Sequence, residues 1–457
     1  MTRRRDFIKK SIIGTAGMAI AGVGSSAKSH ASIMGANDRI NVAVIGIRSQ
    51  GRAHINRYCS LNKTHNVNVK TLCDVDEQFF GERAKMVVDQ TGVNPSFEWD
   101  MRKVFEDKDI DAVSFATPNH WHALGTIWAC QAGKHVYVEK PACHNIFEGR
   151  KMIEAARRYN VCVQTGFQSR SSNHVIEAIK FLHDGGIGEV YMARGLCIKP
   201  RDSFGIAKDS LPPATLHYDQ WLGPATYRPY NAKRSHYNWH WFWDTGNGDT
   251  GNQGPHQFDI ARWGLNKNEH PVSVYSTGGF YGIDPDECAQ ETPNTQASLF
   301  TYKDGKMLEF ETRGRFSNEE SSLGIRIGNM FYGSEGYLEL EGGTWKAFRE
   351  REREPFAGSQ EGERKQTNLT STVADESPSD HWANFIEAVR SGKNETLHCD
   401  ILEGFYSSAL PHLANISYRL GRELKFMGEY EKFASDSEAD TMLTRRYRKP
   451  FVVPEEV

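Results

Sequence analysis

The sequence has no C-x-x-C pair, no excess of basic residues and no apolar run long enough to span a bilayer. Its eight cysteines are spread singly, which excludes a zinc ribbon, a redox pair and a disulfide scaffold. With 55 Lys and Arg against 58 Asp and Glu, the chain lacks the positive charge that binds a phosphate backbone, so we expect no nucleic-acid partner. We also expect no stable membrane anchor. What remains is 457 residues, 39% of them hydrophobic, the composition of two or three soluble globular domains.

The histidines do not fall into a metal-binding pattern. Two close pairs occur, His120 with His122 and His236 with His240, but no H-E-x-x-H motif or carboxylate–histidine set accompanies them. Since zinc and related metals need three or four ligands at defined spacing, the sequence predicts no metal site.

Residues 1–31 have the pattern of an export signal. Arg3-Arg4-Arg5-Asp6-Phe7-Ile8-Lys9 matches the twin-arginine pattern R-R-x-F-[LI]-K, an apolar stretch runs from Ile12 to about Val23, and Ser29-His30-Ala31 is a small-x-small cleavage site. We therefore expect export by the twin-arginine route and a periplasmic location; the alternative is a basic N-terminus followed by a surface helix. Because this route carries folded proteins, often with a cofactor already bound, we also expect a tightly bound organic cofactor.

A dinucleotide-binding unit follows directly. The β-branched run Ile40–Ile45 ends in the turn Gly46-Ile47-Arg48-Ser49-Gln50-Gly51, and a second apolar strand, Val67–Leu72, ends at Asp74. A buried strand, a glycine turn, a helix and an acidic residue in this order predict a Rossmann fold, and the acidic residue favours NAD over NADP. Arg48 stands where the middle glycine is expected; it is either a charge for the pyrophosphate or a solvated turn residue.

The alternation of strands and helices continues. The strand Ile110–Ala116 ends in Thr117-Pro118-Asn119-His120-Trp121-His122, and the strand His135–Val138 ends in Glu139-Lys140-Pro141. Ligands of such sheets bind at the carboxyl ends of the strands. We therefore expect these polar residues to line the cofactor site.

In their order and spacing these segments resemble the Gfo/Idh/MocA oxidoreductases. The resemblance rests on Thr117–His122, Glu139–Pro141, Gly166-Phe167-Gln168, Gly185–Val190 and Gly333–Gly336. It implies an α/β fold with an N-terminal Rossmann domain, a C-terminal α/β domain with a large, open, mostly antiparallel sheet, and assembly into a homo-oligomer, a dimer or tetramer. The expected division is 1–31 signal peptide, 38–165 NAD-binding domain, 166–432 substrate-binding and oligomerisation domain, and 433–457 C-terminal tail. The expected cofactor contacts are Gly46, Ile47, Arg48, Gln50, Gly51, Asp74, Thr117, Pro118, Asn119, His122, Glu139, Lys140 and Gln168.

The predicted catalytic residues are Lys140, His256 and Asn252. A lysine that ends a buried strand beside a nicotinamide can bond the reacting oxygen and lower its pKa, and the resemblance implies this role for Lys140. In the family pattern D-x-x-x-H the histidine is the general acid/base for the hydroxyl proton, and His256 matches it. Asn252 stands at the aspartate position, so the proton relay is broken there, although an amide can still bond substrate hydroxyls. The alternatives are an ion pair of Lys140 with Glu139 and a core or capping role for His256.

An aromatic segment lies just before His256. His236-Tyr237-Asn238-Trp239-His240-Trp241-Phe242-Trp243 holds too many rings and histidines to be buried without polar partners. Sugar rings can stack their C–H faces on such side chains, so we predict a sugar-binding wall; the alternative is a core strand. The expected substrate contacts are Lys140, Tyr237, Trp239, His240, Trp241, Asn252 and His256. Arg170 and Lys199 are further candidates for the cleft, and Asp249 and Asp259 for the missing carboxylate.

Together these patterns predict an exported NAD-dependent oxidoreductase that acts on a ring hydroxyl or ketone of a carbohydrate or glycoside. The alternative is an NAD-dependent glycosidase or lyase that cleaves a glycosidic bond by transient C3 oxidation and elimination. A third possibility is a binding or sensor protein without catalysis, which only Arg48 and Asn252 favour. Because the first two share an oxidation half-reaction, the sequence does not separate them.

Overall fold

The computed structural model describes residues 38–341, 343–349, 352, 354–359 and 380–457. The predicted signal peptide at 1–31 lies outside the described residues. Of the helices in the described part, none combines the length and the apolar composition that crossing a membrane requires.

The first half of the chain forms a parallel six-stranded sheet in the order β3–β2–β1–β4–β5–β6. The strands are β1 Ile40–Ile45, β2 Val67–Cys73, β3 Ser96–Glu98, β4 Ala112–Phe115, β5 His135–Glu139 and β6 Val163–Gly166. The helices between them are α1 Ser49–Thr64, α2 Phe80–Thr91, α3 Met101–Glu106, α4 His122–Gln131 and α5 Ile146–Arg158. Val42, Val44 and Val113 are fully buried because helices cover both faces. This confirms the predicted Rossmann fold, with its ligand crevice where the strand order reverses between β1 and β4.

The second half forms a ten-stranded sheet in the order β14–β13–β12–β11–β7–β10–β9–β8–β15–β16. The strands are β7 Val190–Ile198, β8 Ser273–Gly279, β9 Thr295–Thr301, β10 Met307–Arg313, β11 Ile327–Gly333, β12 Gly336–Glu341, β13 Thr344–Phe348, β14 Ala357–Gly358, β15 Leu424–Met427 and β16 Lys432–Phe433. Within the described residues, β7 and β10 are its parallel neighbours and the other neighbouring pairs are antiparallel. The prediction of a large, mostly antiparallel sheet is therefore confirmed.

In the described part of the chain, helices cover one face of the large sheet and leave the other open. The remaining helices are α6 Asn173–His183, α7 Tyr218–Leu222, α8 Gly248–Asn252, α9 Gly254–Gly264, α10 His381–Ser391, α11 Ile401–Leu420 and α12 Ser437–Asp440. α9 packs on β7, β10 and β11, and α11 packs on α9 and β8. In β10, buried and partly exposed residues alternate, as expected for a sheet with one solvated face. Tyr275 and Leu299 are exposed on that face.

Two late segments pack on the Rossmann half. The indole of Trp382 in α10 stacks on Tyr137 of β5 at 5.5 Å between ring centroids, so α10 completes the core on that side of the parallel sheet. In the C-terminal segment, Phe451 is buried against Trp121 at 5.4 Å, and Arg448 pairs with Asp219 at 2.6 Å.

Candidate active site

A cavity of about 270 Å³ lies at the carboxyl ends of the parallel strands. Its floor is formed by the ends of β1, β2, β4 and β5 and by Gln168 after β6, and its opposite wall by residues of the second half of the chain. Predicted site residues that line it are Gly46, Arg48, Gln50, Asp74, Thr117, Pro118, Asn119, His122, Glu139, Lys140, Gln168, Tyr237, Trp239, His240, Asn252 and His256. Ile47, Gly51 and Trp241 do not line it.

The turn after β1 depends on two glycines. Gly46 has φ +82°, and a Cβ there would lie 2.8 Å from the backbone of Ala116. A Cβ on Gly51 would lie 1.8 Å from the carbonyl oxygen of Gly46, so α1 approaches the strand as closely as only glycine allows. Arg48 at the middle position lines the cavity, with its guanidinium 5.9 Å from the ring centroid of Phe79. Gly51 thus has a packing role, whereas Arg48 places a charge where the pyrophosphate is expected.

Asp74 directly follows β2 and stabilises the turn after β1. Its carboxylate accepts hydrogen bonds from the backbone N–H of Ile47 at 2.8 Å and of Asp76 at 2.9 Å. Burial raises the pKa of Asp74 to about 6, against the lowering effect of these two bonds. Since a carboxylate has about four acceptor positions, Asp74 retains capacity for the ribose hydroxyls of a dinucleotide.

The raised pKa of Asp74 predicts pH-dependent cofactor binding. As the pH falls through about 6, Asp74 takes up a proton and becomes a poorer acceptor for the ribose hydroxyls. We expect NADH to bind about 10-fold more weakly below this pH than above it, as measured by fluorescence titration of nucleotide-free protein. Asp74→Asn should bind weakly with no such step; a wild-type affinity that does not change across this range would contradict the role of Asp74.

Glu139 is the centre of a buried hydrogen-bond network. Its Oε1 accepts from Nε2 of Gln50 at 3.1 Å, of His54 at 3.1 Å and of Gln168 at 2.8 Å. Burial works to raise the pKa of Glu139, but the hydrogen bond from His54 and the charges of His54 and Lys140 outweigh it and lower the pKa to about 2. The network therefore fixes an ionised carboxylate directly before Lys140.

The side chain of Lys140 is held by a backbone carbonyl oxygen that is free where two helices meet. Its Nζ donates to the carbonyl oxygen of Asn252 at 2.9 Å. That carbonyl is available because the N–H of His256 donates to the carbonyl oxygen of Gln253 at 3.2 Å, where α8 ends and α9 begins with Gly254-Pro255. Burial lowers the pKa of Lys140 from its usual value. The ammonium is thus aimed across the cavity at the segment that carries Asn252 and His256.

His256 faces the same cavity in its neutral form. Burial, followed by the nearby charge of Lys140, lowers the pKa of His256 to about 3. Its ring packs edge-on against Phe167 at 6.2 Å. Both His256 and Asn252 line the cavity, so the spacing of four residues brings them to one wall even though the helix is interrupted between them. A neutral imidazole at this position can accept a proton.

This chain has Asn252 where the family pattern has an aspartate, and both Asn252 and His256 line the cavity. A carboxylate beside an imidazole favours the charged form and raises its pKa by about 1–3 units, whereas an amide does not. We expect Asn252→Asp to shift the acidic limb of the kcat/KM profile to higher pH by about that amount. The matched variant Asn252→Ala should leave this limb in place; an unshifted profile in Asn252→Asp would place Asn252 outside the proton path.

Three of the four residues of the aromatic segment that are predicted to contact substrate line the cavity. Tyr237, Trp239 and His240 line the cavity, and His240 stacks on Trp239 at 3.6 Å between centroids. Trp241 is buried behind this wall, with the guanidinium of Arg201 4.7 Å from its ring centroid. The prediction that Trp241 contacts substrate is therefore not supported by its position, because its ring is used to support Arg201.

His122 connects the segments that follow β4 and β5. Its Nδ1 lies 2.7 Å from the carbonyl oxygen of Pro141 and its Nε2 2.9 Å from that of Thr117. Asn119 is buried and faces the cavity. His122 thus connects two strand ends, and its ring nitrogens face backbone carbonyls.

Several charged residues of the site region were predicted only weakly or not at all. Lys199 lines the cavity, and Arg201 binds both carboxylate oxygens of Asp249 at 2.7 Å. Arg170 instead forms a buried ion pair with Asp259 at 2.9 Å and does not line the cavity. Asp249 and Asp259 are thereby committed to arginines. Such pairings join residues far apart in the chain, so no local pattern predicts them.

The connecting segment, residues 199–247 between β7 and α8, closes the ribose end of the cavity. His236 Nε2 lies 3.1 Å from Asp76 Oδ2, and the N–H of His217 donates to Val75 at 2.8 Å. Trp99 stacks on His217 at 4.1 Å. This closure is absent from the sequence pattern because it depends on contacts between distant segments.

The residues present fit a dinucleotide. The hydroxyl oxygen of Thr117, which lines the cavity, is buried without a hydrogen-bond partner in the described part of the chain. A glycine turn, a helix N-terminus at Ser49 and an acidic residue at the end of β2 surround the same space. Within the described ranges, no three His, Cys, Asp or Glu side chains are grouped as a metal would need.

Comparison with known proteins assigns the family. Residues 40–167 match the profile of the oxidoreductase family, NAD-binding Rossmann fold. Residues 205–322 and 363–453 match that of the oxidoreductase family, C-terminal alpha/beta domain. The two profiles together cover most of the chain.

Individual relatives match only in part. Levoglucosan dehydrogenase of Pseudarthrobacter phenanthrenivorans is 30% identical over 161 residues, 34% of this chain and 40% of that protein. A glycosyl hydrolase family 109 protein of Shewanella pealeana is 30% identical over 125 residues, 26% of this chain and 27% of that protein. The chain thus matches two fifths or less of the length of these relatives.

A solved structure of levoglucosan dehydrogenase with NADH and levoglucosan superimposes with a TM-score of 0.63. The sequence identity is 18%, over 85% of this chain and 99% of that one, so this likeness shows the fold alone. With the cavity described above and both family profiles matched, the chain belongs to the Gfo/Idh/MocA family of NAD-binding oxidoreductases.

Proposed function

We propose that the protein is an exported NAD-dependent oxidoreductase that interconverts a ring hydroxyl and a ketone of a carbohydrate or glycoside. The observation that carries the proposal is that Lys140 and His256 face the same cavity as the dinucleotide turn and Asp74. A hydroxyl held between these two side chains lies within reach of both a charge-stabilising donor and a proton acceptor.

The side chains have separate roles in alcohol oxidation. NAD, when bound, would accept the hydride. His256, neutral at physiological pH, takes the hydroxyl proton, and the ammonium of Lys140 donates a hydrogen bond to the oxygen on which negative charge builds. The hydroxyl thus loses one proton and one hydride and becomes a carbonyl; the reverse steps reduce a ketone.

The opposite wall favours a sugar as substrate. Tyr237, Trp239 and His240 present rings to the cavity, and Asn252 and Gln253 present amides. Rings suit the C–H faces of a pyranose, and amides suit its hydroxyls. The levoglucosan dehydrogenase relative supports the same substrate class.

Retention of the cofactor follows from closure and export. The connecting segment binds the loop after β2 through His236–Asp76 and His217–Val75, and a bound nucleotide could leave only after these contacts open. Because NAD is not replenished outside the cytoplasm, retained cofactor favours a cycle in which a second sugar or keto-sugar reoxidises NADH.

Retention is tested by the nucleotide content of the purified mature protein. We expect close to one NAD(H) per chain after gel filtration without added nucleotide, measured enzymatically after denaturation. His236→Ala should retain less nucleotide, whereas the exposed control His183→Ala should retain as much as the wild type. Protein that carries no nucleotide would contradict tight binding.

Export is tested on the first residues. With Arg3, Arg4 and Arg5 replaced by lysine, we expect the protein to stay in the cytoplasm, as measured by cell fractionation. Secretion at wild-type level would contradict the twin-arginine assignment.

For the open face of the large sheet, which carries Tyr275 and Leu299, we propose contact with a second copy of the chain. A monomer by light scattering would contradict this proposal.

A second function, redox-assisted cleavage of a glycosidic bond, is favoured by the match to glycosyl hydrolase family 109 proteins. Oxidation at C3 acidifies the C2 proton, and its loss together with the glycosidic oxygen releases the aglycone as an alcohol. Water then adds at C1, a proton returns to C2, and reduction of the C3 ketone by the stored hydride completes the hydrolysis. The same residues would perform its first step. Product analysis separates the two functions, because cleavage releases a free sugar or aglycone and dehydrogenation leaves an intact keto-glycoside.

A further inference from the structure

A second cavity of about 250 Å³ lies between the turn before α5 and the C-terminal segment. Four parts of the chain surround it: the turn that carries His144 and Asn145, the loop that ends at Asn247, helix α11 and the segment 442–446. None of its lining residues lines the catalytic cavity. The volume is far larger than one water molecule requires.

Its walls contain an unusual group of unsatisfied polar atoms. Asp244 Oδ1, Asn247 Nδ2, His412 Nδ1 and Arg445 Nε are buried and have no hydrogen-bond partner in the described part of the chain. All four belong to side chains that line this cavity. Asn247 and His412 are more than nine-tenths buried. Buried polar groups normally find partners, so this concentration at one cavity indicates a polar ligand.

The charges of the residues that line the second cavity favour an anionic ligand. Arg228, Arg419, Arg445 and Arg446 line the cavity together with a single carboxylate, Asp244. Arg228 pairs with Asp244 at 2.9 Å. Arg445 pairs with Glu148 at 3.1 Å, but Arg419 and Arg446 form no ion pair within the described residues. Two arginines therefore remain to bind an anionic group, which guanidinium groups do with good geometry.

An aromatic surface lies beside these arginines. Trp243 lines the cavity and is only partly buried, and the guanidinium of Arg419 lies 5.1 Å from its ring centroid. An indole next to an amide donor and cations matches a sugar ring that bears a charge. An inorganic anion would use the arginines but neither the indole nor Asn247.

We propose that this second cavity is a binding site for an anionic sugar, one that bears a carboxylate or a sulfate ester. Arg419 and Arg446 bind the anionic group, Trp243 contacts the ring, and Asn247 donates to its hydroxyls. Because the site shares no residue with the catalytic cavity, this assignment does not depend on the reaction proposed above.

The test is isothermal titration of the purified Lys140→Ala protein, in which turnover is blocked. The probes are glucuronate, glucose 6-sulfate, glucose and inorganic sulfate. We expect one of the two anionic sugars to bind, with an affinity about 10-fold lower in an added Arg419→Met/Arg446→Met pair. Arg326→Met, on an exposed arginine just before β11, should leave the affinity unchanged. The tighter of the two sugars identifies the anionic group.

Three results would overturn the proposal. Neither anionic sugar binds; or binding is the same in the Arg419→Met/Arg446→Met protein; or inorganic sulfate binds as tightly as the sugars, which would leave only a general anion site. Since Arg419 and Arg446 are both exposed, the single Arg419→Met and Arg446→Met variants repeat the comparison with little risk to folding.

Discussion

Replacing Lys140 by alanine is expected to lower turnover by a factor of about 10²–10⁴. The ammonium is the cation aimed at Asn252 across the cavity, where the reacting oxygen is expected to lie. Without the Lys140 ammonium, negative charge would develop on this oxygen in a buried site that has lost its hydrogen-bond donor. The effect should fall on the chemical step, so it should appear in kcat as well as in kcat/KM.

Two variants separate this role from a structural one. Lys140→Arg keeps the charge but not the compact ammonium, and we expect it to restore little activity. Lys180→Ala removes an exposed lysine of α6 and should retain wild-type turnover. Single-turnover reduction of the bound cofactor is the measurement. A Lys140→Ala rate within a few-fold of wild type would show that Lys140 is only the partner of Glu139.

Replacing His256 by alanine is expected to reduce kcat by about 10²–10⁴ and to change its pH dependence. The neutral imidazole accepts the hydroxyl proton directly, so without it the proton must pass to water. The rate of the variant should then rise with pH, as hydroxide replaces the missing base. Exogenous imidazole should restore part of the activity, because it can occupy the space that the side chain leaves.

The control for His256 is His183→Ala, since His183 is exposed on α6 and bonds the carbonyl oxygen of Trp263 at 2.8 Å. It should show the wild-type rate and pH profile. If His256→Ala retains both, or if imidazole has no effect on its rate, the proton passes through another group.

Much of the fold was predictable because it depends on local sequence patterns. The run Ile40–Ile45, the glycines at 46 and 51 and the acidic residue at 74 each follow from the geometry of one strand, turn or helix. The alternation in β10 likewise predicts a sheet with one solvated face. These signals need only neighbouring residues, so a single sequence contains them.

The pairings within the site could not be predicted in the same way. Arg201 with Asp249 and His54 with Glu139 join residues that are 48 and 85 positions apart, and nothing near either residue identifies its partner. Trp241 shows the same limit in reverse. Its neighbours suggest an open aromatic wall, but its ring is turned inward under Arg201, which depends on how the connecting segment folds.

The central claim is that a sugar hydroxyl is oxidised by NAD held in this cavity, and one spectrum tests it most directly. Absorbance at about 340 nm reports reduced nicotinamide and would be followed on the purified mature protein as sugars and glycosides are added one by one. The account predicts a rise with at least one of them, and no rise in Lys140→Ala or His256→Ala. A silent spectrum for every compound, in protein shown to contain oxidised NAD, would contradict it.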